Sequence, residues 1–110
     1  MLVYLATPYS HAQHEVMIER FNKVNKLAAK LMSEGTHIYS PISHTHPIAE
    51  AGSLPKGWDF WEKYDRCILS VCSKIIVFKQ EGWDISVGVQ AEIKIAQELG
   101  LEIEYIEDQS

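Results

Sequence analysis

Two carboxylates, a phenol and a serine at a helix start carry most of the chemistry open to this chain. The stretch Asp84-Ile85-Ser86-Val87-Gly88-Val89-Gln90-Ala91-Glu92 follows an apolar strand, Ile75 to Phe78. It places a serine, a helix-opening glycine and a carboxylate at the carboxyl end of a sheet, where α/β proteins bind their ligands. Glu92 lies among Val89, Ala91, Ile93 and Ala96, which predicts partial burial rather than a solvated position. Asp65, on the preceding helix, is the second carboxylate of interest. Two carboxylates facing one pocket can divide labour, one as nucleophile and one as proton donor, when their environments separate their pKa values. By residue type alone the bland readings stay open. Asp65 could pair with Lys56, Lys63 or Arg66, and Glu92 could be a surface carboxylate or pair with Lys74 or Lys94.

Other polar groups fall on the same predicted edge. Tyr4 lies in the first strand, Thr7, Tyr9 and Ser10 follow it, and His44, His46 and Asp84 come from two later segments. All are candidate substrate contacts, together with Ser86 and Gly88. His44 and His46, two apart, could chelate zinc from an extended segment, with an Asp or Glu as third ligand. No HExxH or third histidine at a telling spacing supports that, and contact with substrate or ordering of a loop is the preferred role. No metal and no cofactor is therefore expected. The first loop, Ala6-Thr7-Pro8-Tyr9-Ser10, lacks both GxGxxG and the P-loop pattern, which argues against dinucleotide binding and NTP hydrolysis. Ser86 is not in a GxSxG elbow.

The elements that must position these groups alternate in type. Leu2 to Ala6 reads as a buried strand, ended by Thr7-Pro8. Apolar residues from Val16 to Met32 recur at three and four, giving a helix from about 13 to 34 with Gly35 as its stop. Thr36 to Tyr39 is a short strand. Residues 41 to 57 hold three prolines, two glycines and two histidines and read as a long irregular loop, a length usually tied to function or mobility. A helix from Trp58 to Val71, the strand Ile75 to Phe78, a helix from Val87 to Leu99 and an edge strand from Leu101 to Ile106 complete the series. The order β-α-β-loop-α-β-α-β implies an α/β single domain. Its open parallel sheet of about four strands, in order 2-1-3-4, would be covered by helices on both faces, as in flavodoxin-like and Rossmann-like three-layer sandwiches.

The bulk properties agree and exclude several classes. A chain of 110 residues supports one core and not two. A net charge of −5 with dispersed Lys and Arg argues against nucleic-acid polymers and anionic membranes. No apolar run approaches the length of a membrane span, and no signal-like segment opens the chain. Cys67 and Cys72 have neither zinc nor redox spacing. Two reduced thiols, and with them a cytoplasmic location, are expected.

Tyr4-Leu5-Ala6-Thr7-Pro8-Tyr9, Asp65 eight residues before Ser73, and Ser86-Val87-Gly88-Val89-Gln90-Ala91-Glu92 together resemble the nucleoside 2-deoxyribosyltransferase superfamily. The likeness follows the order of elements over nearly the whole chain, and looks nearest to short bacterial and phage members. It implies that Glu92 attacks the anomeric carbon, that Asp65 gives a proton to the departing base, and that Tyr4 orients the glutamate. The helix N-terminus beneath Glu92 is expected to help keep it ionised. In transferases of free nucleosides an aspartate usually stands six residues before the nucleophile. Here that residue is Ser86, and Ser-x-Gly-Val-x-x-Glu resembles the branch that hydrolyses deoxynucleoside 5′-monophosphates. An aspartate would repel a phosphate, whereas a hydroxyl and free amides attract one. Thr7-Pro8 departs from the Gly-Ser loop of that branch.

The resemblance thus implies cleavage or transfer of an N-glycosidic bond, hydrolysis more than transfer, on a small nucleoside or nucleotide. A homodimer or higher homo-oligomer is the expected assembly. Two alternatives stand beside it: a non-catalytic nucleotide-binding module on the same fold, and a metal-dependent hydrolase using His44 and His46.

Overall fold

The computed structural model describes residues 1–109. Four strands, β1 (Val3–Ala6), β2 (Ile38–Tyr39), β3 (Lys74–Lys79) and β4 (Glu102–Glu107), form one parallel sheet in the order β2-β1-β3-β4. This is the α/β arrangement and strand order that the alternation of elements predicts. β1 and β3 lie in the middle, paired from Val3 against Lys74 to Ala6 against Val77, and apart from Lys74 at the start of β3 this register carries no charged residue. A central parallel strand is covered on both faces, so it has no polar side to show. β4 is an edge strand, and its glutamates alternate with half-buried Ile103 and Ile106.

Four helices cover the two faces. α1 (His14–Ser33) lies on one side with α2 (Pro41–Gly52), and α3 (Trp58–Leu69) and α4 (Val87–Glu98) lie on the other. Side chains of β1 alternate between the layers. Val3 and Leu5 pack with Val24, Ala28, Ile42 and Phe78, while Tyr4 and Ala6 pack with Leu69, Val77, Val89 and Ile93. The period-two geometry of a strand thus delivers the Tyr4 phenol to the α3–α4 side. Among the described residues no helix is long and apolar enough to cross a membrane. Cys67 is exposed, Cys72 buried, and both are free.

The expected long loop of residues 41 to 57 is mostly a helix. α2 occupies Pro41–Gly52, leaving only residues 53 to 57 irregular. Proline suits the first position of a helix, where its missing N–H has no partner to lose, and Ser40 precedes it as N-cap. Pro47 interrupts the backbone ladder inside the helix, which ordinarily costs about 3 kcal/mol. Burial of Ile42, His46 and Ala49 at spacings of four and three offsets that cost. Thr45 Oγ1 also donates to the Pro41 carbonyl at 2.8 Å. Ser53, in the left-handed region at φ 54°, ends the helix, with the Leu54 amide bonding back to the Ala49 carbonyl at 2.9 Å.

Candidate active site

The carboxyl ends of β1 and β3 open into a cavity of about 560 Å³, within the range that accommodates small-molecule ligands. Its walls come from the loop after β1, the inner faces of α2 and α3, and the turn and helix start after β3. Glu92, Asp65, Thr7, Tyr9, Ser10, His46, Ser86 and Gly88 all line it. Tyr4 lies beneath, fully buried, and its hydroxyl donates to Glu92 Oε2. His44 and Asp84 are not part of the lining. His44 is on the exposed side of α2, where its ring stacks with Tyr64. Asp84 sits in the short 3₁₀ turn Trp83–Ile85 and faces solvent.

The bland readings of the two carboxylates fail on contacts. Asp65 is 7% exposed and Glu92 6%, and neither has an ion pair among the described residues. Three of the five candidate cations are engaged elsewhere: Lys56 with Glu50, Arg66 with Glu62 and Glu98, Lys74 with Glu102 and Glu104. Asp65 Oδ1 is buried without any hydrogen-bond partner. An orphaned oxygen of this kind costs about 1–3 kcal/mol and calls for an explanation beyond stability.

Burial raises both acids. Asp65 is pushed up to about 7 by desolvation, with the nearby Tyr4 hydroxyl opposing the rise. Glu92 is pushed up to about 8, first by burial and then by the charge of Asp65, while the Tyr4 hydrogen bond pulls it down. The expected help from the helix N-terminus is outweighed, since desolvation removes far more solvation energy than one dipole end returns. Tyr4 itself is raised well above its usual range, by burial and then by Glu92, and so stays a proton donor in a hydrogen bond. Two acids that repel one another titrate as a unit and hold one shared proton near neutrality. The two acids differ in their hydrogen bonds: the Tyr4 hydroxyl donates to Glu92 Oε2, whereas Asp65 Oδ1 has no donor.

The start of α4 is the second feature of the site. Ser86 is the N-cap and its Oγ accepts from the Val89 amide at 3.2 Å, leaving its own proton free to donate. Val87, Gly88 and Val89 line the cavity beside it, and the first amides of a helix have no intrahelical acceptor. At Gly88 a Cβ would meet the Trp58 ring at 3.7 Å, ordinary contact, so glycine here leaves room rather than relieving a clash.

The first loop is more occupied than its sequence suggests. Thr7 Oγ1 donates to the Phe78 carbonyl at 3.1 Å and accepts from Gln80 Nε2 at 2.9 Å. Ser10 Oγ donates to the Lys56 carbonyl at 2.8 Å. The Tyr9 hydroxyl pairs with His46 Nδ1, and the Phe21 ring lies 4.3 Å from the same imidazole. Burial pushes His46 down and Tyr9 up to about 12, so this pair is neutral at ordinary pH. These hydroxyls shape the loop, and each keeps at most a spare lone pair for a ligand.

His44 and His46 do not converge. Two residues apart on a helix they point some 200° from one another, one outward and one inward, so the extended segment needed for chelation is absent. Among the described residues no group of three or more His, Cys, Asp or Glu side chains could hold a metal ion. Sequence reading missed Arg20 and Lys56, which also line the cavity. Arg20 carried one weak signal, as the only arginine on a helix whose other cations are lysines. Trp58 and Trp61 also line the cavity, on the α3 side.

A search of curated proteins finds no match to the chain. Residues 1–107 match the family described as Domain of unknown function (DUF1937), and the chain belongs to that family.

Proposed function

We propose that the protein cleaves the N-glycosidic bond of a nucleoside or nucleoside 5′-monophosphate through a covalent glycosyl–Glu92 intermediate. The observation that carries this reading is the buried pair Glu92 and Asp65. The two come from different helices onto one cavity, one supported by the Tyr4 hydroxyl and the other holding an unpartnered oxygen. That asymmetry is what a nucleophile and a proton donor require.

In the first step the ionised Glu92 carboxylate forms a bond to the anomeric carbon as the carbon–nitrogen bond breaks, and Asp65 gives its proton to the departing base nitrogen. In the second, water attacks the same carbon, Asp65 takes the water proton, and the Glu92 carboxylate leaves. Tyr4 orients Glu92 and disperses its charge. Hydrolysis is favoured over transfer because the cavity mouth admits water. Ser86 and the free amides of Val87 and Gly88 suit a 5′-phosphate, as a hydroxyl and a helix N-terminus would. Trp58 and Trp61 offer ring faces to a base. The resemblance to nucleoside 2-deoxyribosyltransferases supports the same assignment. Ile85 and Val87, apolar and exposed at the rim, favour a homo-oligomer, which sedimentation would read directly.

Mass spectrometry of incubations with nucleosides and 5′-monophosphates tests this. Free base is expected from the parent protein, a sugar adduct on Glu92 under rapid quench, and no base from Glu92→Ala or Asp65→Ala. Turnover by folded variants at the parent rate would sink the mechanism. Thermal stabilisation by nucleotides without any turnover would favour a binding module instead.

A further inference from the structure

We propose that Arg20 is the positioning residue of this site, holding together the two strand-end loops that line the cavity. Its guanidinium lines the cavity but makes no ion pair among the described residues. It is spent on backbone instead. Nη1 donates to the Ser10 carbonyl at 3.0 Å and the Tyr9 carbonyl at 3.4 Å, and Nη2 donates to the Glu81 carbonyl at 2.9 Å. One side chain thus ties the loop after β1 to the loop after β3. The buried Gln80 side chain continues the tie, donating to Thr7 Oγ1 at 2.9 Å and to the carbonyl of Arg20 itself at 3.1 Å.

Gly82 completes the arrangement. It adopts φ +90°, and a Cβ there would sit 3.0 Å from Arg20 Nη2. Glycine both permits the turn and clears the approach of the guanidinium. A planar fork with five donors can satisfy three carbonyls at once, whereas an ammonium is a compact charge that cannot span them. The consequence reaches both walls of the cavity. One loop carries Tyr9, which holds His46. The other leads through Trp83–Ile85 to Ser86, the cap of the helix that bears Glu92. Arg20 therefore sets the separation of the walls without touching the reacting atoms.

The kinetic part of the test rests on the nucleoside reading above, and the structural part does not. Arg20→Ala is expected to raise KM about tenfold with kcat within about threefold, because substrate must then order two loops that the parent protein holds in place. Millimolar guanidinium ion should restore KM in Arg20→Ala. Arg20→Lys should resemble Arg20→Ala despite keeping the charge. Gly82→Ala, which displaces Nη2 while leaving Arg20 intact, should raise KM in the same sense. Amide hydrogen exchange should quicken together in residues 9–10 and 81–86 of Arg20→Ala. Unchanged KM with no rescue, or exchange altered only within α1, would overturn the proposal. If the parent protein turns over no nucleoside or nucleotide, only the earlier reading fails, and joint or separate loosening of the two loops still decides this one.

Discussion

Glu92→Gln offers the sharpest single test of the site, because stability and activity should move in opposite directions. Burial and the Asp65 charge lift Glu92 from 4.5 to about 8. The folded state therefore holds a proton that the unfolded chain releases. That contribution is fully present below about pH 4.5 and is lost as pH rises to about 8. At about 1.4 kcal/mol per unit, keeping the carboxylate ionised in the fold near pH 8 costs about 5 kcal/mol. Glutamine keeps the shape and the oxygen that accepts from Tyr4 but never ionises. Local relaxation around the buried charge offsets part of that cost, so a gain of about 2 kcal/mol is expected near pH 8. For a domain of this size that is a Tm rise of about 6–10 °C. At about pH 4 the gain should vanish, since both states are then protonated in the parent protein. Thermal unfolding followed by circular dichroism at the two pH values reads the difference, and base release should be lost at both. Equal Tm shifts at the two pH values, or a lower Tm near pH 8, would refute the electrostatic account of Glu92.

Base release should follow a bell-shaped pH profile in kcat/KM with limbs near 7 and 8, because only the singly protonated pair is competent. Tyr4→Phe removes a hydrogen bond to a charged group, worth about 1.5–3 kcal/mol. It should cut kcat/KM by about tenfold or more and move the profile to higher pH, which titration of the rate reads directly. Ser86→Asp keeps an N-cap but places a negative charge beside the free amides. It should lower kcat/KM for 5′-monophosphates at least about tenfold while sparing nucleosides; equal losses on both would remove the phosphate assignment. Gly88→Ala meets only ordinary contact with Trp58 and should raise stability by about 0.5 kcal/mol in urea unfolding, with KM rising as the cavity narrows.

The sequence by itself determined the frame. Short apolar strands alternating with amphipathic helices bury their faces as a parallel sheet between helices, and right-handed crossovers narrow the strand orders open to it. Ser86 and Gly88 at a helix start were legible for the same reason, since caps and glycines act through local backbone geometry. α2 was not, because proline and glycine content hid a helix held largely by the burial of Ile42, His46 and Ala49. Whether Asp65 and Glu92 were surface charges or a buried pair was likewise open in one dimension, where Lys and Arg neighbours are equally available. Only the tertiary structure decided it, by sending Lys56, Arg66 and Lys74 to other partners and closing Tyr4, Asp65 and Glu92 into one desolvated place. The same holds for Arg20, whose partners lie in loops up to 61 residues away. Long-range hydrogen bonds and desolvation depend on which segments meet, and no spacing along the chain records that.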